Sequence, residues 1–236
     1  MKHIMHLLFP LVIVAHSSMS LAGDMDDDPL LGKVMLDQLE LRTGDSDATV
    51  NWSLDGWLGR DLDKLWLKTK GDYERGSIGE ANLQALYSRA IAPFWDLQVG
   101  WRGDLRPEPV RNWLAVGVKG LAPYFFDLDA ALFLGESGRS QARIQAEYEL
   151  LLTQRLILVP ELELTLSGKD DPETATGSGL STVEAGLRIR YEIRREFAPY
   201  LGVSWTRLYG QTADYAVEEG DETDQFQIVV GIRCWL

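Results

Sequence analysis

LYSRAIAPFWDLQVGWR, residues 86–102, decides the fold. After the turn at Ala90, Ile91, Ala92 and Pro93, the residues Trp95, Leu97, Val99 and Trp101 alternate with Asp96, Gln98, Gly100 and Arg102. Before it, Leu83, Ala85 and Tyr87 alternate with Gln84, Leu86 and Ser88. A period of two means a strand with two distinct faces. Here one face of the second strand is wholly apolar and aromatic while the other carries an acid, an amide, a glycine and a base. That contrast suits a wall between lipid and water, so the stretch reads as one hairpin of a transmembrane β-barrel.

The same pattern recurs outward in both directions. Upstream, residues 35–42, 49–58 and 65–74 alternate, with Trp52, Leu54, Gly56 and Leu58 on one face. Downstream, residues 113–120 form a strand, and Phe126, Leu128, Ala130, Leu132 and Leu134 oppose Asp127, Asp129 and Ala131. Ala142, Ile144, Ala146, Tyr148 and Leu150 oppose Arg143, Gln145, Glu147 and Glu149. Residues 156–167, 183–192, 200–208 and 226–236 continue the series.

The expectation is an all-β fold, an up-and-down antiparallel barrel of about twelve strands. Every second connection is tight or proline-capped (60–63, 90–93, 122–124, 153–155, 195–199), and the others are expected to be long and polar. Both chain ends then lie on the periplasmic side, with Trp57, Trp66, Trp95, Tyr124, Phe125 and Tyr200 near strand ends as candidates for the interfacial aromatic girdles. The alternation assigns Asp96, Arg102, Asp104, Asp127, Asp129, Arg143, Glu147, Glu149, Glu161, Glu163, Glu184, Arg188, Arg190 and Glu192 to the lumen. Such a set forms either a salt-bridged plug or an acidic path attractive to cations.

The first 22 residues read as a signal peptide: Lys2, then a mostly apolar run over 4–14, then Ser20, Leu21 and Ala22 before the cleavage point. Residues 23–33 read as a short acidic tail and 34–236 as the barrel. The chain has 23 Lys and Arg against 36 Asp and Glu, a net charge of −13. Loss of Lys2 with the leader lowers it to about −14. On charge grounds no nucleic-acid partner is expected, and cations are attracted. The one cysteine, Cys234, has no partner for an internal disulfide and reads as a small apolar filler on the lipid face. All three histidines, His3, His6 and His16, lie in the leader. A hydrolytic barrel enzyme with a histidine base is therefore not expected.

Several long motifs carry a family resemblance: residues 86–102, GLAPYFFDLDA (120–130), AEYELLLTQRLIL (146–158), GSGLSTVEAGLRIRYEIRREFAPYLGVSW (177–205) and VVGIRCW (229–235). Over residues 65–236 the chain resembles the copper resistance protein B family of outer-membrane proteins. The resemblance implies a barrel in the bacterial outer membrane, embedded in its lipid, that acts in copper tolerance by binding copper ions or passing them across the envelope. A periplasmic multicopper oxidase is the partner it implies. Family members often carry a methionine- and histidine-rich segment ahead of the barrel, whereas the segment after Ala22 offers Met25 and an aspartate run.

Copper(I) favours thioether and thiolate, and copper(II) favours imidazole and oxygen donors. The candidate metal ligands are accordingly Met25 and Met35, with Asp26, Asp27 and Asp28 as weaker oxygen donors. The alternative reading is a narrow cation-selective channel, or a structural membrane partner of the oxidase, with no tight copper site of its own.

Overall fold

A computed structural model describes residues 28–44 and 48–236. The proposed signal peptide, Met25, Asp26 and Asp27 lie outside the described residues. Twelve antiparallel strands close into a barrel. They are β1 (Leu31–Gly44), β2 (Thr49–Gly59), β3 (Asp63–Glu74), β4 (Ser77–Ala92), β5 (Trp95–Arg106) and β6 (Arg111–Ala122), then β7 (Phe126–Gly135), β8 (Ser140–Tyr148), β9 (Leu156–Ser167), β10 (Gly179–Tyr191), β11 (Phe197–Leu208) and β12 (Asp224–Trp235). Strand β8 is interrupted at Glu149 and resumes for Leu150–Leu151 against β9. Each strand pairs with its neighbours in sequence. β12 closes on β1 through pairs such as Leu41 with Val230 and Met35 with Trp235, which leaves no open edge.

The opening hairpin pairs Ala85 with Trp101, Leu86 with Gly100 and Tyr87 with Val99. Its reversal is tighter than the sequence suggests. Strand β4 continues through Ala92, and only Pro93 and Phe94 turn the chain, with Phe94 at φ 68°.

Among the loop-end connections whose residues are all described, the expected alternation of short turns and long loops holds at only two. Residues 168–178 and 209–223 are long, but Arg75 and Gly76 alone join β3 to β4, both at positive φ as a type I′ hairpin requires. Residues 107–110 and 136–139 are short as well. The physical reason is strand length. β4 has 16 residues, against the roughly 10 that cross a bilayer. Polar sequence that reads as loop is therefore strand standing clear of the lipid. The link expected over 195–199 also moves. Residues 192–196 make the turn, and Pro199 sits within β11 opposite Ile232. The second long loop holds a helix, α1 (Gly210–Glu219), ended by Gly220 at φ 85° with its N–H on the carbonyls of Ala216 and Val217.

The two faces of the wall are distinct. Leu65, Leu67, Leu201, Phe226, Ile228 and Val230 are exposed on the outside, as a lipid-facing surface requires. Inside, polar residues are joined by an apolar cluster of Leu86, Trp113, Ala115 and Phe133, packed with Trp66 and Ala131. Phe94, Tyr124 and Phe125 stand exposed at the turn end, where an aromatic girdle belongs. Trp57, Trp66 and Tyr200 do not join them. Trp57 pairs with Trp66, the two rings 6.4 Å apart, on the inward register of β2 and β3, and Tyr200 is buried in the lumen. Their positions near strand ends look the same in sequence, but the pleat turns them inward.

Candidate functional site

The lumen is the candidate site. Its central layer is built on β1, where a bulge between Leu36 and Gln38 resets the alternation. Gln38, Glu40 and Arg42 are all buried as a result, and Met35, before the bulge, and Asp37, within it, also face inward. Arg188 grips the Glu40 carboxylate from Nε and Nη2 at 3.1 Å each, and its Nη1 reaches Glu161 at 2.6 Å. Arg42 donates to Glu40 at 2.7 Å and pairs with Glu184 at 2.8 Å. The Tyr200 hydroxyl donates to Glu40 at 2.9 Å. Its ring passes over Gly231, where any Cβ would stand 2.5 Å from Tyr200 Cζ. Gln38 and Gln145 donate to the two oxygens of Glu161 at 3.1 and 2.8 Å.

The opposite wall is cationic and aromatic. Lys68 pairs with Asp129 at 2.9 Å and Lys70 with Glu163 at 2.7 Å. Phe133, fully buried, lies between the guanidinium groups of Arg102 (4.4 Å from the ring centre) and Arg143 (5.3 Å). Trp66 lies likewise between Lys68 and Lys119, at 5.5 and 5.2 Å. Buried cations are thus held by carboxylates and by ring faces together.

Toward the loop end, Arg102 pairs with Asp104 at 2.7 Å, and the Trp113 indole N–H donates to the same carboxylate at 2.7 Å. Toward the turn end, Arg233 reaches Asp37 at 2.8 Å, Glu149 at 3.2 Å and the Met35 sulfur at 3.6 Å. Arg190 also pairs with Glu149. Lys64 lies 3.5 Å from Asp96.

A cavity of about 130 Å³ lies among these groups on the Met35 side, lined by Met35, Asp37, Asp55, Asp127, Glu147 and Arg233 together with lysines of β3 and β6. Asp55, Asp127 and Glu147 line it without a direct hydrogen bond or salt bridge to another described side chain, and Lys68, Lys119 and Arg233 are the cations that face them. Among the described residues no three histidine, cysteine, aspartate or glutamate side chains form a group able to hold a metal ion. Any copper held there would use the Met35 thioether with one or two carboxylates.

Asp96, Arg102, Asp104, Asp127, Asp129, Arg143, Glu147, Glu149, Glu161, Glu163, Glu184, Arg188 and Arg190 all lie on the inward register. Glu192 falls in the turn after β10. Asp28 is not at the Met35 cavity. It accepts from Arg60 at 3.4 Å and from the Asp61 backbone N–H at 3.2 Å, which ties the start of the barrel to the β2–β3 turn. Cys234 pairs with Leu36 and Phe197 on the outward face.

Residues the sequence reading passes over include Glu40, Arg42, Asp55, Lys68, Lys70, Lys119 and Arg233. In β3 the signal was available: if Leu65, Leu67 and Tyr73 face lipid, then Trp66, Lys68 and Lys70 face in.

A closed barrel with a lipid-facing apolar wall and a lumen crossed by ion pairs is an outer-membrane β-barrel protein, and the solved structures it resembles agree. It superposes on the NanC porin with a TM-score of 0.57 at 11% identity, covering 86% of this chain and 99% of that one. It superposes on the KdgM porin with a TM-score of 0.50 at 10% identity, covering 86% and 98%. Those likenesses establish the fold. The family follows from sequence: the model of the copper resistance protein B precursor family (CopB) matches residues 30–236, and the chain belongs to that family. It is 45% identical over 202 residues to copper resistance protein B of Escherichia coli, covering 86% of this chain and 68% of that protein. It is 44% identical over 209 residues to the copper resistance protein B homolog of Pseudomonas syringae pv. tomato (strain ATCC BAA-871 / DC3000), covering 89% and 71%. The chain is an outer-membrane protein with a role in copper resistance.

Proposed function

We propose that this barrel serves copper resistance by taking copper ions into its lumen and assisting their passage across the outer membrane. The observation that carries the reading is the cavity where Met35 faces inward beside the carboxylates of Asp55, Asp127 and Glu147, none of them in a direct salt bridge with another described residue. A thioether selects copper(I), and carboxylates add charge attraction without tight coordination. A site with few strong ligands holds an ion loosely, which is what passage needs, since an ion that binds must also leave. Nearby Arg233, Lys68 and Lys119 limit the net negative charge, so the cavity favours one ion at a time. The role is non-catalytic, for lack of an imidazole base in residues 23–236.

A second reading draws on the pairs among Glu40, Arg188, Glu161, Arg42 and Glu184, which bridge β1, β9 and β10 across the lumen. A barrel plugged in this way serves as the membrane-side partner of a periplasmic multicopper oxidase and passes no ion itself.

The deciding experiment refolds the chain in detergent and measures copper(I) and copper(II) affinity separately by chelator competition. Met35→Leu and Asp127→Asn are compared with the parent. Copper(I) binding that weakens at least about tenfold in Met35→Leu supports the lumenal site. Binding no stronger than that of an unrelated acidic barrel, and unchanged in both variants, removes it and leaves the partner reading.

A further inference from the structure

We infer that residues 168–178 form a lid over the outer mouth of the lumen, and that Asp171 is its latch. The segment does not stand away from the barrel as a free loop. Asp171 is buried, and Arg111, at the inward-facing start of β6, grips both of its oxygens at 2.9 and 3.0 Å. Arg139, from the β7–β8 turn, adds a third contact at 3.4 Å. Arg111 also pairs with Glu173. The lid is thus fastened to a part of the wall three strands away from β9, where it begins.

The other edge of the lid is fastened separately. The Gly177 N–H donates to the Thr212 hydroxyl at 2.8 Å in a buried contact with α1. Only glycine permits it, because a Cβ at position 177 would lie 2.4 Å from the Thr212 nitrogen. Within the lid, Asp171 and Thr176 exchange backbone hydrogen bonds at 2.7 and 3.0 Å, so it moves as one stiff piece.

Beneath it is a second cavity of about 130 Å³, lined by Glu80, Arg102, Asp104, Gln141 and Ser167 as well as by Asp171 itself. Residues of the lid therefore form one wall of the outer vestibule. A bidentate arginine–carboxylate pair is strong yet polar, and it can be exchanged for water when the lid lifts. That is the behaviour expected of a latch and not of a packed core. The inference is independent of what crosses the lumen and stands whether or not copper binds at Met35.

The test reads access to the vestibule directly. Ser167 is buried, its hydroxyl makes no hydrogen bond to the protein, and it lines the cavity. Ser167→Cys in a Cys234→Ser background therefore supplies a single reporter thiol with little disturbance. Its reaction with a charged, membrane-impermeant methanethiosulfonate reagent is followed on the refolded full-length chain in liposomes. The lid predicts slow labelling in the otherwise unchanged barrel. In Asp171→Asn labelling speeds up about tenfold or more, the shift expected from losing one charge-assisted pair. Arg139→Gln removes only the longest contact and gives a smaller increase. It replaces Asp171→Asn in the test should that variant lose the gel-mobility shift of a folded barrel. Equal labelling rates in the folded latch variant and the unsubstituted latch would overturn the inference.

Discussion

Glu40 and Arg188 meet inside the barrel with both carboxylate oxygens and two guanidinium nitrogens engaged at 3.1 Å, the glutamate side chain wholly shielded from solvent. They lie three strands apart around the wall, on β1 and β10. Arg42 and Tyr200 complete the shell about the same carboxylate. A buried charge in such a shell is costly to strip of its partner and nearly neutral to remove as a pair. Glu40→Ala takes from Arg188 and Arg42 one of the two carboxylates that each engages, leaving them Glu161 and Glu184 and an excess of buried positive charge, and is expected to cost about 3–5 kcal/mol. Urea unfolding of the barrel in lipid vesicles gives the value. The double variant Glu40→Leu with Arg188→Met should recover much of that loss. A double variant less stable than Glu40→Ala would mean that the network acts as a whole.

Phe133 is the apolar counterpart of that knot. Its ring has no exposed surface and separates Arg102 from Arg143. Phe133→Ala removes core volume and also the ring face that lets two guanidinium groups share the space. The expected cost is about 3–5 kcal/mol. Phe133→Leu, which restores volume without a π face, should lie between Phe133→Ala and the parent. If Phe133→Leu matches the parent in unfolding midpoint, packing alone accounts for the residue.

These two clusters also show how far the chain could be read in advance. Strand number, closure and the lipid face were legible because period two with Leu, Val and aromatic residues on one side, as in β5 and β8, suits a membrane wall and little else. The interior was less legible. Trp66 and Tyr200 look like girdle residues until the register is known. The bulge after Leu36 places Met35 and Asp37 on the same side as Gln38 and Glu40, which strict alternation forbids. The fastening of Asp171 by Arg111 joins residues 60 apart in sequence and leaves no local trace. What a pattern of period two cannot encode is which residues meet across an enclosed space.

At the lid, the Ser178 backbone N–H donates to Asp170 at 2.6 Å, and this bond holds the Asp170 carboxyl below its ordinary 3.8. A lowered folded-state value means that the stabilisation is complete above the unfolded value and is lost as pH falls through the lower, folded one. The protection factor of the Ser178 amide, its exchange rate taken relative to the intrinsic rate at each pH, should therefore hold from neutral pH down to the ordinary aspartate range, about pH 4, and fall only below it. Asp170→Asn should remove that acid transition. Its persistence in the variant would assign the transition to another group.

Leu187 and Arg188 are consecutive on β10, yet they face different solvents. Leu187 is 42% exposed on the outer wall, whereas Arg188 is 5% exposed in the lumen. The barrel tolerates a guanidinium at 188 because Glu40 and Glu161 receive it. At 187 the neighbours across the ladder are Pro160 and Val203, neither of which offers a carboxylate. Leu187→Arg should therefore destabilise the barrel by about 2–4 kcal/mol in vesicles, the cost of arginine at the bilayer midplane. In detergent micelles, whose shape adapts around a charge, the same variant should lose less. Comparing unfolding in the two media isolates the lipid contribution. An equal loss in both would place Leu187 in packing contact with protein, contrary to its position on the outward face of a closed barrel.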